Sequence, residues 1–264
     1  MDLELRGKIV LITGGSKGIG LACAKGFAAE GCRVHIAARS VAALEQARAS
    51  LVKDYGVEVT CHPYDLSVTE NVIALAHECG DLDILVNCAG AIPHGRIDQV
   101  DDERWRKGWD LKVFGFINLT REVYAGMKER KSGVVVNVIG LAGERHRSGY
   151  IVGTSGNAAL IAFTRALGAE SVDFGVRVVG INPGRVLTDR QIDHHMENAQ
   201  KQLGDSSRWR EIMAPIVEGL PFKRAAHPEE CADLVTFLAS ARASYISATV
   251  VTIDAGQSLR PRIN

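Results

Sequence analysis

The order of apolar segments along the chain predicts an α/β fold, a doubly wound parallel sheet of seven strands with helices on both faces. Short apolar runs bounded by Gly, Asp or Asn alternate with longer segments of helical period, as repeated βα units require. A glycine-rich segment at residues 13–20 directly follows the first apolar run. With 264 residues, 46% of them apolar, the chain is long enough to bury the core of one domain, which we place at residues 1–264.

Each predicted strand is a short apolar run that ends at a turn-forming or polar residue. The strands are expected at residues 8–13, 33–39, 58–64, 84–87, 134–139, 177–182 and 249–253. Helices are expected at residues 18–30, 41–55, 69–79, 101–130, 150–174 and 228–240. Several of them are opened by Asp, Ser, Thr or Pro, which favour helix N-termini.

Residues 185–220 break this alternation. Their apolar residues recur at near-helical spacing, among them Trp209, Met213 and Ile216. The segment follows the carboxyl end of the sixth strand, where long insertions usually border a ligand site. We therefore expect a lid that offers apolar contacts to substrate; the alternative is a packed excursion that does not touch substrate.

The charge balance and the cysteine pattern exclude several classes of partner. Lys and Arg number 31, as do Asp and Glu, so no basic field exists to bind nucleic acid or an anionic membrane surface. No apolar stretch reaches the roughly 18 to 20 residues of a membrane span, and we expect a cytoplasmic protein. The six cysteines form no C-x-x-C pair, which favours a reduced compartment and argues against a zinc site. No metal is predicted.

The glycine-rich segment predicts a phosphate-binding turn. Gly14, Gly18 and Gly20 allow a tight turn and close approach of the backbone to a pyrophosphate, and the following helix offers free N–H groups. Because the segment lies between a strand and a helix, phosphate binding is favoured over a simple turn. The remaining cofactor contacts expected in this turn are Ser16, Lys17 and Ile19.

Two further cofactor segments are expected where the third and fourth strands end. Asp65 and Leu66 follow the third strand, and Asn87, Ala89 and Gly90 close the fourth. The carboxyl ends of parallel strands form the edge at which ligands bind. We expect Asp65 to accept a hydrogen bond from an adenine amine and Asn87 to brace its own loop.

The end of the second strand predicts which dinucleotide binds. A carboxylate there would hydrogen-bond the ribose of NAD and repel a 2′-phosphate, but residues 37–40 read Ala-Ala-Arg-Ser. Arg39 and Lys17 offer two cations to a phosphorylated ribose. The sequence therefore favours NADP(H) over NAD(H); in the alternative, Arg39 is simply solvated.

These motifs, together with Asn182-Pro183-Gly184-Arg185-Val186-Leu187-Thr188-Asp189, resemble the short-chain dehydrogenase/reductase family over nearly the whole length. The resemblance implies a single Rossmann-type domain, an oxidoreductase acting on an alcohol or carbonyl compound, and a homodimer or homotetramer joined through helices 101–130 and 150–174. It also implies cofactor contacts at four positions of the last motif, which are Pro183, Gly184, Val186 and Thr188.

The same resemblance shows where this chain departs from the family. The family's Asn, Ser, Tyr and Lys tetrad aligns without gaps onto Lys112, Gly140, Gly153 and Asn157. The usual proton donor, a Tyr whose pKa is lowered by the Lys, is therefore expected to be absent. The sequence predicts an atypical member with a non-standard proton-donating site.

Three residues are candidates to replace the lost groups. Tyr150 precedes Gly153 by three residues, so on one helix the glycine would leave room for the tyrosine ring. Lys112 has small and apolar helical neighbours and would polarise a substrate oxygen; the alternatives are snorkelling or pairing with Asp110. His146, between two arginines, is a candidate acid or base, unless the three cations bind an acidic substrate or are only solvated.

Three functions remain open on the sequence. The first is an NADP(H)-dependent oxidoreductase acting on an alcohol or carbonyl. The second is an NADP(H)-binding protein without redox turnover, a sensor or partner subunit, and the third is a lyase or hydratase that uses the same cleft. Fold alone does not decide among them, because sites rather than folds carry chemistry. The cofactor motifs favour the first function over the third, and the expected absence of the tetrad favours the second.

Overall fold

The computed structural model describes residues 1–260 and shows one parallel seven-stranded sheet in the order β3-β2-β1-β4-β5-β6-β7. All seven predicted strands are present, and the last four residues of the predicted domain, 261–264, lie outside the described part. The strands are β1 (Ile9–Thr13), β2 (Arg33–Ala37), β3 (Val59–His62), β4 (Ile84–Asn87), β5 (Gly133–Val138), β6 (Val176–Pro183) and β7 (Val250–Ile253).

Helices cover both faces of this sheet. Along β1, Val10 and Ile12 pack into the cluster formed with the helices Gly18–Ala29, Val41–Tyr55 and Pro228–Ala239, whereas Leu11 packs into the cluster formed with the helices Thr69–Cys79 and Gly115–Arg130. Alternate side chains of a strand point to opposite faces, so both faces are buried, as the apolar runs predict. The helices are α1 (Gly18–Ala29), α2 (Val41–Tyr55), α3 (Thr69–Cys79), α4 (Asp102–Trp109), α5 (Gly115–Arg130), α6 (Ile151–Ser171), α7 (Asp189–Leu203), α8 (Trp209–Glu218) and α9 (Pro228–Ala239).

Two long helices differ from the prediction. The helix expected at residues 101–130 is interrupted, because a π-helical stretch, Asp110–Phe114, joins α4 to α5. The helix expected from residue 150 begins at Ile151, and Tyr150 lies outside it with φ −140° and ψ 42°. A π-helical turn inserts one residue into a helix and is frequent at functional sites. The apolar periodicity of the sequence does not reveal such a single insertion.

Residues 185–220 are largely helical. α8 and the loops on either side of the segment form a small apolar cluster of Met213, Leu220 and Ala225, with Leu187, Trp209 and Val217 packed against it. Of the residues expected to contact substrate, Met213 lies in this cluster and Trp209 packs against it. Among residues 1–260, no helix combines the length and apolar character needed to cross a membrane.

Candidate active site

A tight backbone turn connects β1 to α1. Gly14 has φ 70°, and a Cβ on Gly20 would lie 2.2 Å from the Gly14 carbonyl oxygen, so neither position tolerates a side chain. Lys17 precedes α1 in an extended conformation, and no side chain caps the helix. The first N–H groups of α1 are therefore left for an anionic ligand. The turn has the close packing and the free donors that a dinucleotide pyrophosphate requires.

The hydroxyl group of Thr13 braces the loop after β4. Its Oγ1 accepts hydrogen bonds from the backbone N–H groups of Cys88 (2.9 Å) and Ala89 (3.0 Å). Asn87 was expected to do this, but its Nδ2 donates to Thr120 Oγ1 and Asn137 Oδ1, both at 3.0 Å. The bracing role belongs to Thr13, the first residue of the glycine motif, while Asn87 ties β4 to α5 and β5.

The segment after β6 reaches the glycine turn. A Cβ on Gly18 would lie 3.3 Å from Thr188 Cγ2, and Thr188 Oγ1 accepts a hydrogen bond from the N–H of Gln191 at the start of α7. Gly184 packs on Asp254, since a Cβ there would lie 2.9 Å from the Asp254 Cβ. The fold thus brings together two predicted cofactor segments, residues 13–20 and 183–188, that lie far apart in the sequence. The other two predicted contacts of this segment, Pro183 and Val186, are buried.

Two exposed cations lie beside the glycine turn and the end of β2. Neither Lys17 nor Arg39 forms an ion pair with a carboxylate within residues 1–260. Nearby, Asp65 accepts hydrogen bonds from the N–H (3.0 Å) and hydroxyl (2.8 Å) of Ser67. Burial raises the pKa of Asp65, but these hydrogen bonds and the charges of Arg39 and Lys107 outweigh it, so the net shift is downward. Leu66 is buried beside it.

Lys112 is a buried lysine in the π-helical stretch, 7% exposed. Its Nζ donates to the carbonyl oxygens of Val138 (2.8 Å) and Ile139 (3.2 Å) at the end of β5. The Nζ also lies 4.6 Å from the centre of the Phe116 ring. Gly90 packs on the aliphatic part of this side chain, because a Cβ there would lie 2.7 Å from Lys112 Cδ. The ammonium group is therefore held where the ends of β4 and β5 meet.

The surroundings of Lys112 weaken its hold on a proton. Burial lowers its pKa to about 8, with a smaller raising effect from Cys88 and a lowering effect from Arg190. Within residues 1–260 it forms no ion pair with Asp110 or with any other carboxylate, and its burial rules out snorkelling. An amine that titrates near neutral pH is suited to donate a proton or to polarise an oxygen.

The ring of Tyr150 lies over Gly153. A Cβ on Gly153 would fall 2.1 Å from both Cε1 and Cζ of that ring, so the glycine leaves the room that the sequence predicts, although Tyr150 precedes the helix. The ring also contacts the His94 ring, with centroids 4.4 Å apart and planes tilted by 31°. Burial raises the pKa of Tyr150, and the charge of Arg190 partly opposes this.

Gly140 adopts a backbone conformation that favours glycine. Its φ is 144°, and a Cβ would lie 3.0 Å from Asn157 Nδ2. Its N–H donates to Asn182 Oδ1 at 3.3 Å. Asn157 Oδ1 and Asn182 Nδ2 are buried without a hydrogen-bond partner among the described residues. Buried polar atoms are normally paired, so these two atoms mark a place for a water molecule or a ligand atom.

The three cations at residues 145–147 do not converge. Arg145 turns away and donates to the carbonyl oxygen of Gln257 at 2.6 Å, and His146 is exposed. Of residues 145–147, Arg147 is the one that contributes to the lowered pKa of His94, to which Arg190, His194 and Arg185 also contribute. Arg190 and Arg185 were not among the predicted site residues, because their approach to His94 depends on how the chain folds after β6.

One further group of possible metal ligands lies outside this site. His35, His62 and Cys79 place their ligand atoms within 4.8 Å of one another. His35 Nδ1 and His62 Nε2 are 2.9 Å apart, and His62 Nδ1 lies 3.1 Å from Glu78 Oε2. These contacts form a hydrogen-bonded chain, and we assign no metal to it.

Comparison with known proteins gives consistent results. The family model described as short chain dehydrogenase matches residues 8–199. The chain is 32% identical over 260 residues to 2,3-dihydro-2,3-dihydroxybenzoate dehydrogenase of Bacillus subtilis, covering 97% of each sequence. It is 30% identical to a 3-oxoacyl-acyl-carrier-protein reductase of Chlamydia muridarum, covering 98% of this chain and all of that one.

The solved structures agree with these relatives. L-sorbose reductase of Gluconobacter frateurii, complexed with NADPH and L-sorbose, superposes with a TM-score of 0.93 at 33% identity. The superposition covers 99% of this chain and 100% of that one. The match in sequence and the match in architecture extend over the same glycine turn and the same parallel sheet. The chain therefore belongs to the short-chain dehydrogenase family of oxidoreductases.

Proposed function

We propose that this protein is an NADP(H)-dependent oxidoreductase acting on a carbonyl or alcohol, with Lys112 and Tyr150 in place of the family's usual proton-donating residues. The observation that carries the proposal is the Lys112 ammonium, which is buried beside Gly90 at the ends of β4 and β5 and donates to two backbone carbonyl groups. Ligands of parallel α/β sheets bind at this edge. An amine whose pKa is shifted by burial at such an edge is suited to donate a proton or to polarise a substrate oxygen.

The cofactor would lie along the edge of the sheet from β2 to β5. The glycine turn and the N-terminus of α1 would hold its pyrophosphate, and Asp65 would face its adenine. Arg39 and Lys17 would bind the 2′-phosphate, because both are exposed cations with no carboxylate partner within residues 1–260. A solved relative, L-sorbose reductase, was crystallised with NADPH, which supports the phosphorylated dinucleotide.

NADP(H), when bound, supplies or accepts the hydride; the chain must handle the proton. Lys112, with its pKa near 8, would donate a hydrogen bond or a proton to the substrate oxygen. Tyr150 would close the opposite side of the site with its ring over Gly153. The unpaired Asn157 Oδ1 and Asn182 Nδ2 would position a water molecule or the substrate itself.

The test is a titration with NADPH and NADH, followed by turnover with a carbonyl panel. We expect NADPH to bind at least about tenfold more tightly, because losing a charge-assisted hydrogen bond costs roughly 1.5 to 3 kcal/mol. Absorbance of the reduced nicotinamide then reports oxidation. Equal binding of NADH at low salt would overturn the cofactor assignment.

A second candidate, an NADP(H)-binding protein without redox turnover, is supported by one feature. The resemblance leads us to expect Gly140, Gly153 and Asn157 where the family has its Ser, Tyr and Lys, and the ring of Tyr150 lies over Gly153. Tight NADPH binding with no oxidation by any member of the panel would favour this candidate.

We also propose a cytoplasmic homodimer or homotetramer that associates through α5 and α6. The glycines of α6 are used within the chain, since a Cβ on Gly156 would lie 3.1 Å from Val113, so the contact would involve the outer surfaces of these helices. Light scattering at micromolar concentration tests this assembly, and a monomer would refute it.

A further inference from the structure

Three arginines, Arg147, Arg185 and Arg190, lie close enough to His94 to shift its pKa, and the centre of the His94 ring is 4.4 Å from that of Tyr150. The charged groups that shift the pKa of His94 are Arg190, His194, Arg147 and Arg185, and all of them lower it together with burial, which is the largest cause. These side chains come from three segments, the loop before α6, the segment after β6, and α7. The fold therefore brings three arginines from separate parts of the sequence near one histidine.

Arg185 is the least solvent-exposed of the three arginines. It is half-buried, and burial together with the charge of Arg147 lowers its pKa. Within residues 1–260 it forms no ion pair with any carboxylate. A guanidinium group withdrawn from water is normally paired with an anion. None of residues 1–260 supplies that anion.

Carboxylates on neighbouring elements do not neutralise the cluster. Glu144 is used elsewhere, accepting a hydrogen bond from Thr252 Oγ1 at 2.8 Å and facing Arg165 at 3.8 Å. Asp254 accepts hydrogen bonds from the backbone N–H groups of Gly256 and Ser258. Asp189 and Asp193 of α7 are exposed and form no ion pair with these arginines.

A second, independent feature lies in α7. His195 is 4% exposed, and both of its ring nitrogens lack a hydrogen-bond partner among the described residues. Burial, Arg185 and His194 lower its pKa, so at neutral pH the ring carries one N–H donor and one acceptor. The charge of Arg185 acts on this buried ring. Because buried polar atoms are normally paired, a polar group of a ligand near Arg185 could serve as a hydrogen-bond partner of His195.

Arg190 connects this cluster to the reacting end of the site. Its Nη1 donates to the carbonyl oxygen of Gly90 at 3.2 Å, and Gly90 packs on Lys112. Arg190 also lowers the pKa of both Lys112 and Tyr150. A molecule that contacts Lys112 would therefore also lie within reach of the Arg190 guanidinium group.

We propose that the substrate carries an anionic group, a carboxylate or a phosphate ester, which Arg147, Arg185 and Arg190 bind while the carbonyl faces Lys112. The proposal rests on the function proposed above and specifies its substrate class. Arginine binds both kinds of anion through paired N–H donors. His195 would complete the site with a hydrogen bond to the bound anion.

Calorimetry on the NADP⁺-loaded protein tests this directly, because it reports binding whether or not the protein turns over. The probes are matched pairs: several short keto acids, each with its methyl ester, and dihydroxyacetone phosphate with dihydroxyacetone. We expect the charged member of a pair to bind on the order of 10- to 100-fold more tightly, as hydrogen bonds to charged groups imply. Preference for the phosphate ester or for the acids identifies which anion is bound.

The variants separate this role from folding. Arg185→Gln is expected to remove the preference for the charged member, with Arg185→Lys partly restoring it, while NADP⁺ affinity stays unchanged. The matched control is Arg145→Gln, whose guanidinium faces the Gln257 carbonyl oxygen; it should keep the preference. No preference for the charged member in the wild type, no binding by any probe, or a preference that survives Arg185→Gln would overturn the proposal. Failure to bind NADP⁺ would instead overturn the proposed function.

Discussion

Replacing Lys112 with Met is expected to change how the stability of this protein depends on pH. Burial lowers the pKa of Lys112 in the folded chain to about 8, whereas a lysine in the unfolded chain titrates near about 10.4. Between these values the unfolded chain binds more protons than the folded chain, so the free energy of unfolding rises with pH. For this one group the rise is about 2 kcal/mol from about pH 7 to about pH 9.5.

The assay is urea unfolding followed by tryptophan fluorescence, in wild type and variant, at several pH values across that range. Met has a similar length and does not titrate, so the difference in unfolding free energy between the two chains isolates Lys112. Other groups titrate in both chains; one is Cys88, whose pKa burial raises to about 11. We expect the free energy of unfolding of the wild type to rise relative to that of the variant as pH rises.

The loss of hydrogen bonds in the Lys112→Met variant lowers its free energy of unfolding by an amount that does not depend on pH. Without Lys112, the carbonyl oxygens of Val138 and Ile139 lose their donor, at a cost of about 1 to 3 kcal/mol each when buried. That cost does not vary with pH. The control is Lys53→Met, which replaces an exposed lysine on α2 and for which the difference should stay flat. A difference that is also flat for Lys112→Met would refute the buried-amine account.

Three other substitutions test neighbouring parts of the account. Arg39→Ala is expected to weaken NADPH binding by about 10- to 100-fold and to leave NADH binding unchanged; calorimetric titration that finds equal losses would give Arg39 a supporting role only. Tyr150→Phe is expected to lower turnover by roughly 10²- to 10⁴-fold, and unchanged rates would remove its hydroxyl from proton transfer. Gly153→Ala is expected to displace the Tyr150 ring and lower turnover, but to cost little more in a Tyr150→Ala background. Additive losses in that cycle would place the effect of the methyl group elsewhere.

The fold was largely predictable from the sequence, because its signals are local. β4 is buried along its whole length, and a strand buried on both faces reads as an unbroken apolar run. The exception is the π-helical stretch at Asp110–Phe114. One inserted residue leaves the helical pattern on both sides intact, so the interruption has no signature in the pattern of apolar residues.

The site was less predictable, because its contacts join distant segments. The turn at Gly14 and Gly20 follows from spacing alone, but the hydrogen bonds of Thr13 to the loop after β4 depend on how β1 and β4 pair. Arg190 reaches Gly90 only because α7 folds back over the sheet edge. The burial of Lys112 was foreshadowed by its small and apolar helical neighbours, whereas its carbonyl partners at the end of β5 were not.

Turnover of the Lys112→Met variant at measured NADPH affinity is the most direct test of the central claim, that a buried amine serves an NADP(H)-dependent reaction. The dissociation constant for NADPH and the rate of its oxidation are determined on the same preparation, with a substrate that the wild type reduces. We expect affinity within about twofold of the wild type and a rate lower by roughly 10²-fold or more. An unaltered rate would contradict the account.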